Sequence, residues 1–306
     1  MRHPDRRDVL GLVAGAGLAV AGLPSPAAAA PDLLMRAVPS TGERLPAVGL
    51  GTWITFNVGE DRQARAACTD VMRAFFEAGG RMIDSSPMYG SSQPVVGEGL
   101  AALRMPGALF SAEKVWTWSG SSGPGQIEES RRHWGVPRFD LLQVHNLLAW
   151  EDHIETLKAM KAEGRVRHIG ITTSEGRRHD LFEEVMRSQP LDFVQVSYNA
   201  LDRAVESRIL PLAQERGIAV IVNRPFRQRA LIAHVERHPL PGFAAELGCR
   251  AWAQVLLKFV LAHPAVTCAI PATTQVEHVR ENLEACTGPQ ADEAMRARIA
   301  DHVASL

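Results

Sequence analysis

Short apolar runs alternate with amphipathic stretches along most of the chain. The first run, Val48 to Trp53, is typical of a strand. The stretch after it, Asp61 to Ala78, has apolar residues at helical spacing and ends at Gly79-Gly80. The alternation occurs eight times. It predicts strands at 48–53, 81–84, 109–115, 139–144, 166–171, 193–197, 218–222 and 266–270, and helices at 61–78, 94–103, 126–134, 151–163, 181–188, 205–216, 243–262 and 276–285.

Eight strand–helix units predict an α/β fold, a (β/α)8 TIM barrel. The strands lack polar alternation, as strands buried on both faces should, and each helix is long enough for a parallel crossover. We expect one domain over residues 31–306, with an N-terminal hairpin at 34–45 and an extra C-terminal helix at 291–303. The alternative is an open doubly wound sheet. It is weakened because Gly49-Leu50-Gly51 is followed by Thr52-Trp53 and not by a GxGxxG turn.

The first thirty residues differ in character from the rest. Arg6 and Arg7 precede a mild apolar run, Leu10 to Leu23, and four small residues, Ala27 to Ala30, follow. The run is too short to span a membrane as a helix, which needs ~20 residues, but it fits a signal peptide. The arginine pair resembles a twin-arginine export signal. We therefore expect residues 1–30 to form the signal segment, with cleavage after Ala29, and the protein to be delivered to the periplasm or outside the cell.

Three expectations follow from that signal. The twin-arginine export machinery is a partner, the mature protein is not stably inserted in a membrane, and a folded protein is exported with any bound cofactor. The alternative is a frayed N-terminal helix whose two arginines are adjacent by accident.

Composition and charge exclude several classes. The 306 residues are 46% apolar and 22% charged, which is ordinary for a globular protein and unlike a disordered or collagen-like chain. The 33 basic and 34 acidic residues give a net charge of −1 without a basic run, so nucleic acid is not an expected partner. The four cysteines have no metal-ligand spacing. We expect no metal site and buried free thiols, with one long-range disulfide left open.

Four polar residues lie at or just beyond the ends of three consecutive predicted strands. Asp84 ends the second strand, and Tyr89 lies five residues later. Lys114 lies at the end of the third strand, and His145 follows the fourth. Each alone has an ordinary interpretation, such as a helix cap or a core histidine. Because the carboxyl ends of parallel barrel strands share one rim, the four together predict an active site there.

This set resembles the aldo-keto reductase family. The resemblance is carried by the segments Asp84-Ser85-Ser86-Pro87-Met88-Tyr89-Gly90, Glu113-Lys114-Val115-Trp116 and Gln143-Val144-His145-Asn146. It continues in Gly49 to Trp53, Gly164 to Ile171, Gln195 to Asn199, Ile270-Pro271 and Arg280 to Leu283, and covers roughly residues 34–285. The resemblance implies a barrel enzyme that transfers a hydride from a nicotinamide dinucleotide to a small aldehyde or ketone.

The predicted catalytic roles make chemical sense for carbonyl reduction. The oxygen of a reduced carbonyl needs a proton, and Tyr89 would supply it as general acid. Lys114, held as a cation by Asp84, would lower the pKa of the phenol. His145 would hydrogen-bond and orient the carbonyl oxygen.

The resemblance also implies a cofactor site for NADP or NAD. Gln195 matches the glutamine that binds the nicotinamide carboxamide, and Thr172 and Thr173 replace the family's Ser-Asn pair. Asn223 replaces a stacking aromatic, a role that Phe226 would take over if stacking is kept. Ala272 and His278 replace two cations that hold the 2′-phosphate in NADP-preferring relatives, so the choice between NADP and NAD stays open. The full predicted set is Gly51, Thr52, Thr172, Thr173, Gln195, Asn223, Arg224, Glu281 and Asn282. For Arg224 a pyrophosphate contact and a solvated basic loop are both open.

Trp53 and Trp116 are predicted to wall the substrate pocket. The Gly/Ser-rich segment 119–125 is a candidate lid, and Trp118 immediately precedes it. Two other functions remain in play. A non-catalytic nucleotide-binding sensor could use the same barrel. A metal-dependent hydrolase could use Asp84 and His145, although the rim lacks a carboxylate cluster.

Overall fold

Eight parallel strands form the centre of the molecule. The structure is a computed structural model, and it describes residues 32–306, which lie in one compact unit, Pro31–Leu306. A two-stranded antiparallel hairpin precedes the parallel strands. The strands are β1 Met35–Ala37, β2 Arg44–Pro46, β3 Leu50–Gly51, β4 Met82–Asp84, β5 Phe110–Val115, β6 Phe139–Val144, β7 Val166–Thr172, β8 Phe193–Ser197, β9 Ala219–Asn223 and β10 Val266–Ala269.

The parallel sheet closes on itself. Strands β3 to β10 pair in chain order, and parallel bridges join Val48 to Ala269 and Gly51 to Ala272. Across this seam the Gly49 N–H donates to the Ala269 carbonyl at 2.8 Å. The predicted (β/α)8 barrel is thereby confirmed, and the open doubly wound alternative is wrong because the two end strands meet.

Helices lie between the successive strands. α1 begins where the Asp61 carboxylate accepts hydrogen bonds from the backbone N–H groups of Gln63 and Ala64. The helices are α1 Arg62–Glu77, α2 Ser92–Ala102, α3 Gly123–Trp134, α4 Trp150–Ala162, α5 His179–Ser188, α6 Ile209–Arg216, α7 Ala230–Val235, α8 Phe243–Glu246, α9 Trp252–Leu261, α10 Val276–Glu284 and α11 Glu293–Ser305. α11 is the extra C-terminal helix expected from the sequence.

Two apolar clusters hold the barrel together. The larger one fills the space between strands and helices. The smaller one lies inside the barrel and contains Phe110 and Phe193 together with Val38 and Leu45 of the hairpin region. The predicted hairpin is therefore present, and it closes the end of the barrel opposite the carboxyl ends of the strands.

Several predicted segments differ from the structure. The strand expected at 48–53 is only Leu50–Gly51, the helix expected at 205–216 begins at Ile209 after a 3₁₀ turn, and α7 was not expected. The long helix expected at 243–262 is divided into α8 and α9. Gly248 adopts a left-handed φ of 65°, which ends α8, and the helical pattern resumes only at Trp252. The candidate lid is partly helical, because a 3₁₀ turn at Gly120–Ser122 leads directly into α3.

The predicted signal peptide lies outside the described residues. Within residues 32–306, no helix has the length and apolar character needed to cross a membrane. The four cysteines are free and buried, so the long-range disulfide left open does not form. No group of three metal-binding side chains is found in the same range.

Candidate active site

Asp84 and Lys114 form an ion pair inside the rim of the barrel. Asp84 ends β4, Lys114 is the penultimate residue of β5, and both side chains are almost fully buried. Lys114 Nζ donates to Asp84 Oδ1 at 2.5 Å and to the Ser85 carbonyl at 2.8 Å. Burial acts to lower the pKa of Lys114, but the Asp84 carboxylate and other acidic groups nearby outweigh it and raise that pKa above its usual value. The lysine is therefore a cation at neutral pH.

Tyr89 lies beside this pair. It ends a 3₁₀ turn, Pro87–Tyr89, in the loop after β4. Lys114 Nζ is 5.0 Å from the centre of the Tyr89 ring, and the His145 ring packs edge-on against it at 5.6 Å between centroids. Burial raises the pKa of Tyr89 to about 12, and Lys114 acts in the opposite direction. The expectation of a net lowered pKa is wrong, since the effect of the ammonium has the predicted sign but burial is larger.

His145 is a neutral hydrogen-bonding group at the end of β6. It opens a 3₁₀ turn, His145–Leu147, and is buried. Its Nδ1 lies 2.7 Å from Ser86 Oγ. Burial and the nearby Lys114 ammonium hold the pKa of His145 well below its usual value. An imidazole in this state can orient a carbonyl oxygen but carries no positive charge.

A chain of amides connects Asp84 to the far side of the barrel. Gln195 Nε2 donates to Asp84 Oδ2 at 3.0 Å, and Gln143 Nε2 donates to the same oxygen at 3.3 Å. Asn223 Nδ2 in turn donates to Gln195 Oε1 at 3.3 Å and to the Thr173 carbonyl at 3.0 Å. The glutamine predicted to hold the nicotinamide therefore also orients the carboxylate that holds Lys114.

The hydroxyls of Thr172 and Thr173 are already used within the protein. Thr172 Oγ1 accepts from the Asn146 N–H at 2.9 Å, and Thr173 Oγ1 donates to the Arg177 carbonyl at 2.6 Å. Both residues lie on the rim where a cofactor contact was predicted, and in this structure their hydroxyls fasten rim loops.

Gly51 and Thr52 hold the seam of the barrel beside Asp84. Gly51 faces Asp84 in the β3–β4 register, and a Cβ atom there would lie 2.7 Å from the Ile270 carbonyl oxygen. Thr52 Oγ1 donates to the Asp84 carbonyl at 2.9 Å. These two residues position the strand that carries the acid.

Arg224 joins two rim loops. Its guanidinium pairs with Glu175 Oε1 at 2.5 Å, which connects the loop after β9 to the loop after β7. Burial lowers the pKa of Arg224. Phe226, the predicted replacement for the stacking aromatic, is partly buried against the larger apolar cluster.

Glu281 and Asn282 lie on α10, after the last strand. The Asn282 side chain is buried, and Glu281 is half-buried with a pKa raised by burial. His278 Nδ1 lies 3.3 Å from Thr273 Oγ1, in the segment that leads into and begins α10. These polar groups, predicted to meet the adenine end of the cofactor, are distant in sequence from the catalytic strands.

Tryptophans line the rim on the Tyr89 side. The Trp53 ring lies 6.5 Å from the Tyr89 ring. The backbone N–H of Trp116 donates to Gln126 Oε1 at 2.6 Å, and its carbonyl accepts from Gln126 Nε2 at 2.8 Å, which fixes the residue in place. Trp118 extends outward with 83% of its surface exposed.

Three residues of the site were not assigned a role from the sequence. Ser86 contacts His145, and Gln143 contacts Asp84. The signal for both was closeness along the chain, because Ser86 lies two positions after Asp84 and Gln143 two positions before His145. Glu113 precedes Lys114 and therefore faces the opposite side of β5, where Gln93 and Trp134 donate to it at 2.9 and 2.7 Å. Burial raises the pKa of Glu113 to about 7.

The donor set on this rim suits a nicotinamide dinucleotide. A carboxamide needs both hydrogen-bond donors and acceptors. At the ends of adjacent strands, the Gln195 amide has a second N–H beside the one given to Asp84, and the side-chain oxygens of Gln195 and Asn223 each have a second lone pair. Asn282 offers a further amide on α10. The residues therefore fit the cofactor that the sequence implied.

Comparison with known proteins decides the family. The model of the aldo/keto reductase family matches residues 47–304. The chain belongs to this family. It is similar to the methylglyoxal reductase YeaE of Escherichia coli (strain K12), with 29% identity over 78% of this chain and 84% of that protein. It is also similar to the NADH-specific methylglyoxal reductase of the same organism, with 28% identity over 69% of this chain and 73% of that protein.

A solved relative has the same fold. An aldo-keto reductase from Klebsiella pneumoniae in complex with NADPH superposes with a TM-score of 0.74 at 25% identity, covering 88% of this chain and 94% of that one. This aldo-keto reductase is thus an oxidoreductase that transfers a hydride between a nicotinamide dinucleotide, NADP or NAD, and a carbonyl compound. No observation supports the alternative of a non-catalytic sensor.

Proposed function

We propose that this aldo-keto reductase reduces small, uncharged aldehydes and ketones, with Tyr89 as the proton donor. The observation that carries the proposal is the buried Lys114–Asp84 pair beside the Tyr89 ring, with neutral His145 edge-on to the same ring. Stability alone does not account for this arrangement, because a buried ion pair stabilises a fold no better than apolar residues of similar volume would. It is the arrangement that a proton transfer to a carbonyl oxygen requires.

The proposed chemistry assigns one task to each side chain. A reduced nicotinamide, when bound, would supply the hydride for the new C–H bond. The carbonyl π electrons move to oxygen, and the Tyr89 O–H bond breaks to protonate that oxygen. Lys114 stabilises the phenolate that results, and Asp84 keeps Lys114 charged. His145 donates a hydrogen bond to the substrate oxygen and sets its position between the phenol and the hydride source.

The dinucleotide would be held by the other half of the rim. Gln195 and Asn223 would meet the carboxamide, while Arg224 would meet the pyrophosphate and Glu281 and Asn282 the adenine end. At the two positions where NADP-preferring relatives carry cations, this chain has Ala272 and His278. We therefore infer that NADH is accepted as well as NADPH. Dissociation constants for the two nucleotides that differ by more than about a hundredfold in favour of NADPH would contradict this.

The loops around Tyr89 carry little charge, which supports an uncharged substrate. The loops after β4, β5 and β6, residues 85–91, 116–122 and 145–149, contain no Asp, Glu, Lys or Arg, and the loop after β3 carries its two acidic residues, Glu60 and Asp61, only at its far end. An anionic substrate would lose hydration there, and the Lys114 ammonium beneath these loops is already paired with Asp84. Methylglyoxal, the substrate in the names of two relatives, is an uncharged ketoaldehyde of the required kind.

Replacing Tyr89 by Phe tests the role of the phenol. Reduction of methylglyoxal, followed by loss of NADPH absorbance, should slow by about a hundredfold to ten-thousandfold, the usual contribution of general acid catalysis. NADPH binding, measured by fluorescence titration, should be unchanged. Tyr198→Phe is the matched control, because the Tyr198 hydroxyl donates to Glu206 and not to the rim. A Tyr89→Phe enzyme that keeps most of its rate would remove the phenol from the mechanism.

The pH profile provides an independent check. Since burial raises the pKa of Tyr89 to about 12, the phenol keeps its proton through neutral and mildly alkaline pH. His145 is neutral over the same interval because its pKa is depressed. We expect kcat/KM to be flat from about pH 7 to about pH 9 and to fall only at higher pH. A rate that is lost through pH 7 would contradict the proposed acid.

Substrate charge is tested with two carbonyl compounds of similar size. Methylglyoxal should be reduced with a kcat/KM at least roughly tenfold above that of glyoxylate, which carries a carboxylate, because the rim offers the anion no partner. Equal values for the two compounds would show that the neutral loops do not select against an anion.

We propose that the protein is exported by the twin-arginine route. The proposal rests on Arg6-Arg7, the apolar run 10–23 and the small residues before Pro31. Residues 1–30 fused to a folded reporter should direct it to the periplasm, and replacing Arg6 and Arg7 by Lys should stop this. Retention of the unaltered fusion in the cytoplasm would overturn the proposal.

A further inference from the structure

Ser86 and His145 form a buried pair that the proposed chemistry does not explain. Both side chains are buried, and Ser86 Oγ lies 2.7 Å from His145 Nδ1. Ser86 Oγ also accepts a hydrogen bond from the Met88 N–H at 3.2 Å, which caps the turn that carries Tyr89. The same hydroxyl is therefore shared between the proton donor's turn and the orienting histidine.

The hydrogen-bond inventory of this hydroxyl distinguishes two tautomers of His145. A serine hydroxyl has one proton to donate and two lone pairs. If Nδ1 carries the histidine proton, Ser86 Oγ accepts from both Nδ1 and Met88, and its own proton has no acceptor among residues 32–306. If Nε2 carries the proton, Ser86 donates to Nδ1 and accepts from Met88, and every group is paired.

The first arrangement is costly because Ser86 has no exposed surface. A buried hydroxyl proton without an acceptor would disfavour the Nδ1–H tautomer of His145 by roughly fivefold to 150-fold. His145 Nε2 has no protein partner among residues 32–306, so a proton on it is available to a ligand on the rim. The nearest ring is that of Tyr89, which packs against His145.

We propose that Ser86 is a positioning residue that selects the Nε2–H tautomer of His145 and so makes the histidine a hydrogen-bond donor toward the carbonyl oxygen. The consequence for reduction rests on the proposed function, but the tautomer itself does not. An imidazole with its proton on Nδ1 would present a lone pair to the substrate oxygen and repel it. Ser86 thereby acts on the reaction without touching the substrate.

Nuclear magnetic resonance of the full chain labelled with ¹⁵N tests the tautomer directly. Two-bond correlations between ring nitrogens and ring protons show which nitrogen of each neutral histidine is protonated, and the His145→Gln spectrum assigns the signals. We expect Nε2–H for His145. Nδ1–H as the main form in the unaltered protein would overturn the proposal, whatever the enzyme's activity.

Two variants of Ser86 test whether this serine causes the tautomer preference of His145. Ser86→Ala removes the donor, and we expect a mixture of tautomers together with a kcat about tenfold lower and an unchanged dissociation constant for NADPH. Ser86→Thr keeps the hydroxyl on an extended backbone that suits a β-branched residue, and should keep both the tautomer and most of the rate. A Ser86→Ala protein with unchanged Nε2–H signals and rate would overturn the proposal. An unaltered protein with the expected tautomer but no reductase activity would instead contradict the proposed function.

Discussion

The two halves of the barrel rim differ in charge. The loops after β4 to β6 and the first six residues of the loop after β3, here called the neutral half (52–57, 85–91, 116–122 and 145–149), have no Asp, Glu, Lys or Arg. The loops after β7 and β9, here called the arginine half (173–178 and 224–229), carry five arginines and one glutamate. Both halves surround the same carboxyl ends of the strands. The difference suggests that a neutral carbonyl compound enters on one side and an anionic dinucleotide lies on the other.

Charged groups lie at different depths in the two halves. On the neutral half the charges nearest Tyr89 are those of the Asp84–Lys114 pair beneath the loops, where water is excluded. On the arginine half the charges lie in the loops themselves, and Glu175 holds Arg224 across two of them. A buried pair acts strongly on neighbouring pKa values, whereas charges closer to water mainly attract and position ions.

The largest expected effect comes from breaking the buried pair. Asp84→Asn leaves the Lys114 ammonium without its carboxylate, and we expect a loss of about 3–5 kcal/mol of unfolding free energy. The rate of methylglyoxal reduction should fall by roughly a hundredfold or more, because Lys114 then loses the group that keeps it charged. Urea denaturation and NADPH oxidation measure the two effects.

The double variant Asp84→Asn, Lys114→Met is the control for that experiment. It removes both charges, so most of the lost stability should return while the activity stays low. A single variant as stable as the unaltered protein would show that the pair is not buried as described.

A smaller effect is expected on the arginine half. Arg224→Gln should weaken NADPH binding about tenfold, since a hydrogen bond to a charged group is lost, and should leave the KM for methylglyoxal unchanged. Glu175→Gln removes the partner but keeps Arg224, so binding should be equal or tighter. Fluorescence titration measures both. Equal weakening in the two variants would mean that the ion pair matters and that Arg224 does not meet the dinucleotide.

The neutral half can also be given a charge. Trp118 is exposed, so Trp118→Lys should fold normally and raise the preference for glyoxylate over methylglyoxal about fivefold, the modest gain expected of a solvent-exposed ion pair. Trp118→Gln is the uncharged control. The measurement is the ratio of kcat/KM values, and identical ratios in the two variants would place Trp118 outside the path of the substrate.

The smallest effect concerns backbone strain beside Trp53. Ile54 has a left-handed φ of 66° although it is β-branched and 62% exposed. Asparagine tolerates this conformation better, so Ile54→Asn should stabilise the protein by about 1 kcal/mol in thermal or urea unfolding. Unchanged or lower stability would mean that the packing of Ile54 outweighs its strain.

The pattern of apolar and polar residues predicted most of the fold, because each strand or helix is specified largely by a short stretch of chain. The eight strands were predicted from apolar runs, the hairpin from its Ser40-Thr41-Gly42 turn, and Asp84, Lys114 and His145 from their places at strand ends. The pattern failed at 243–262, where the apolar spacing continues through Gly248. The left-handed φ of that glycine, which the period of apolar residues does not reveal, divides the helix.

The sequence by itself determined which side chains reach the catalytic rim, because parallel strands in a barrel bring their carboxyl ends to one edge. Only the tertiary structure decided what those side chains contact. Ser86 meets His145 across 59 residues, and Arg224 meets Glu175 across 49. It also decided the net pKa of Tyr89, since the depth of burial depends on how separate loops pack together, and no local pattern records that depth.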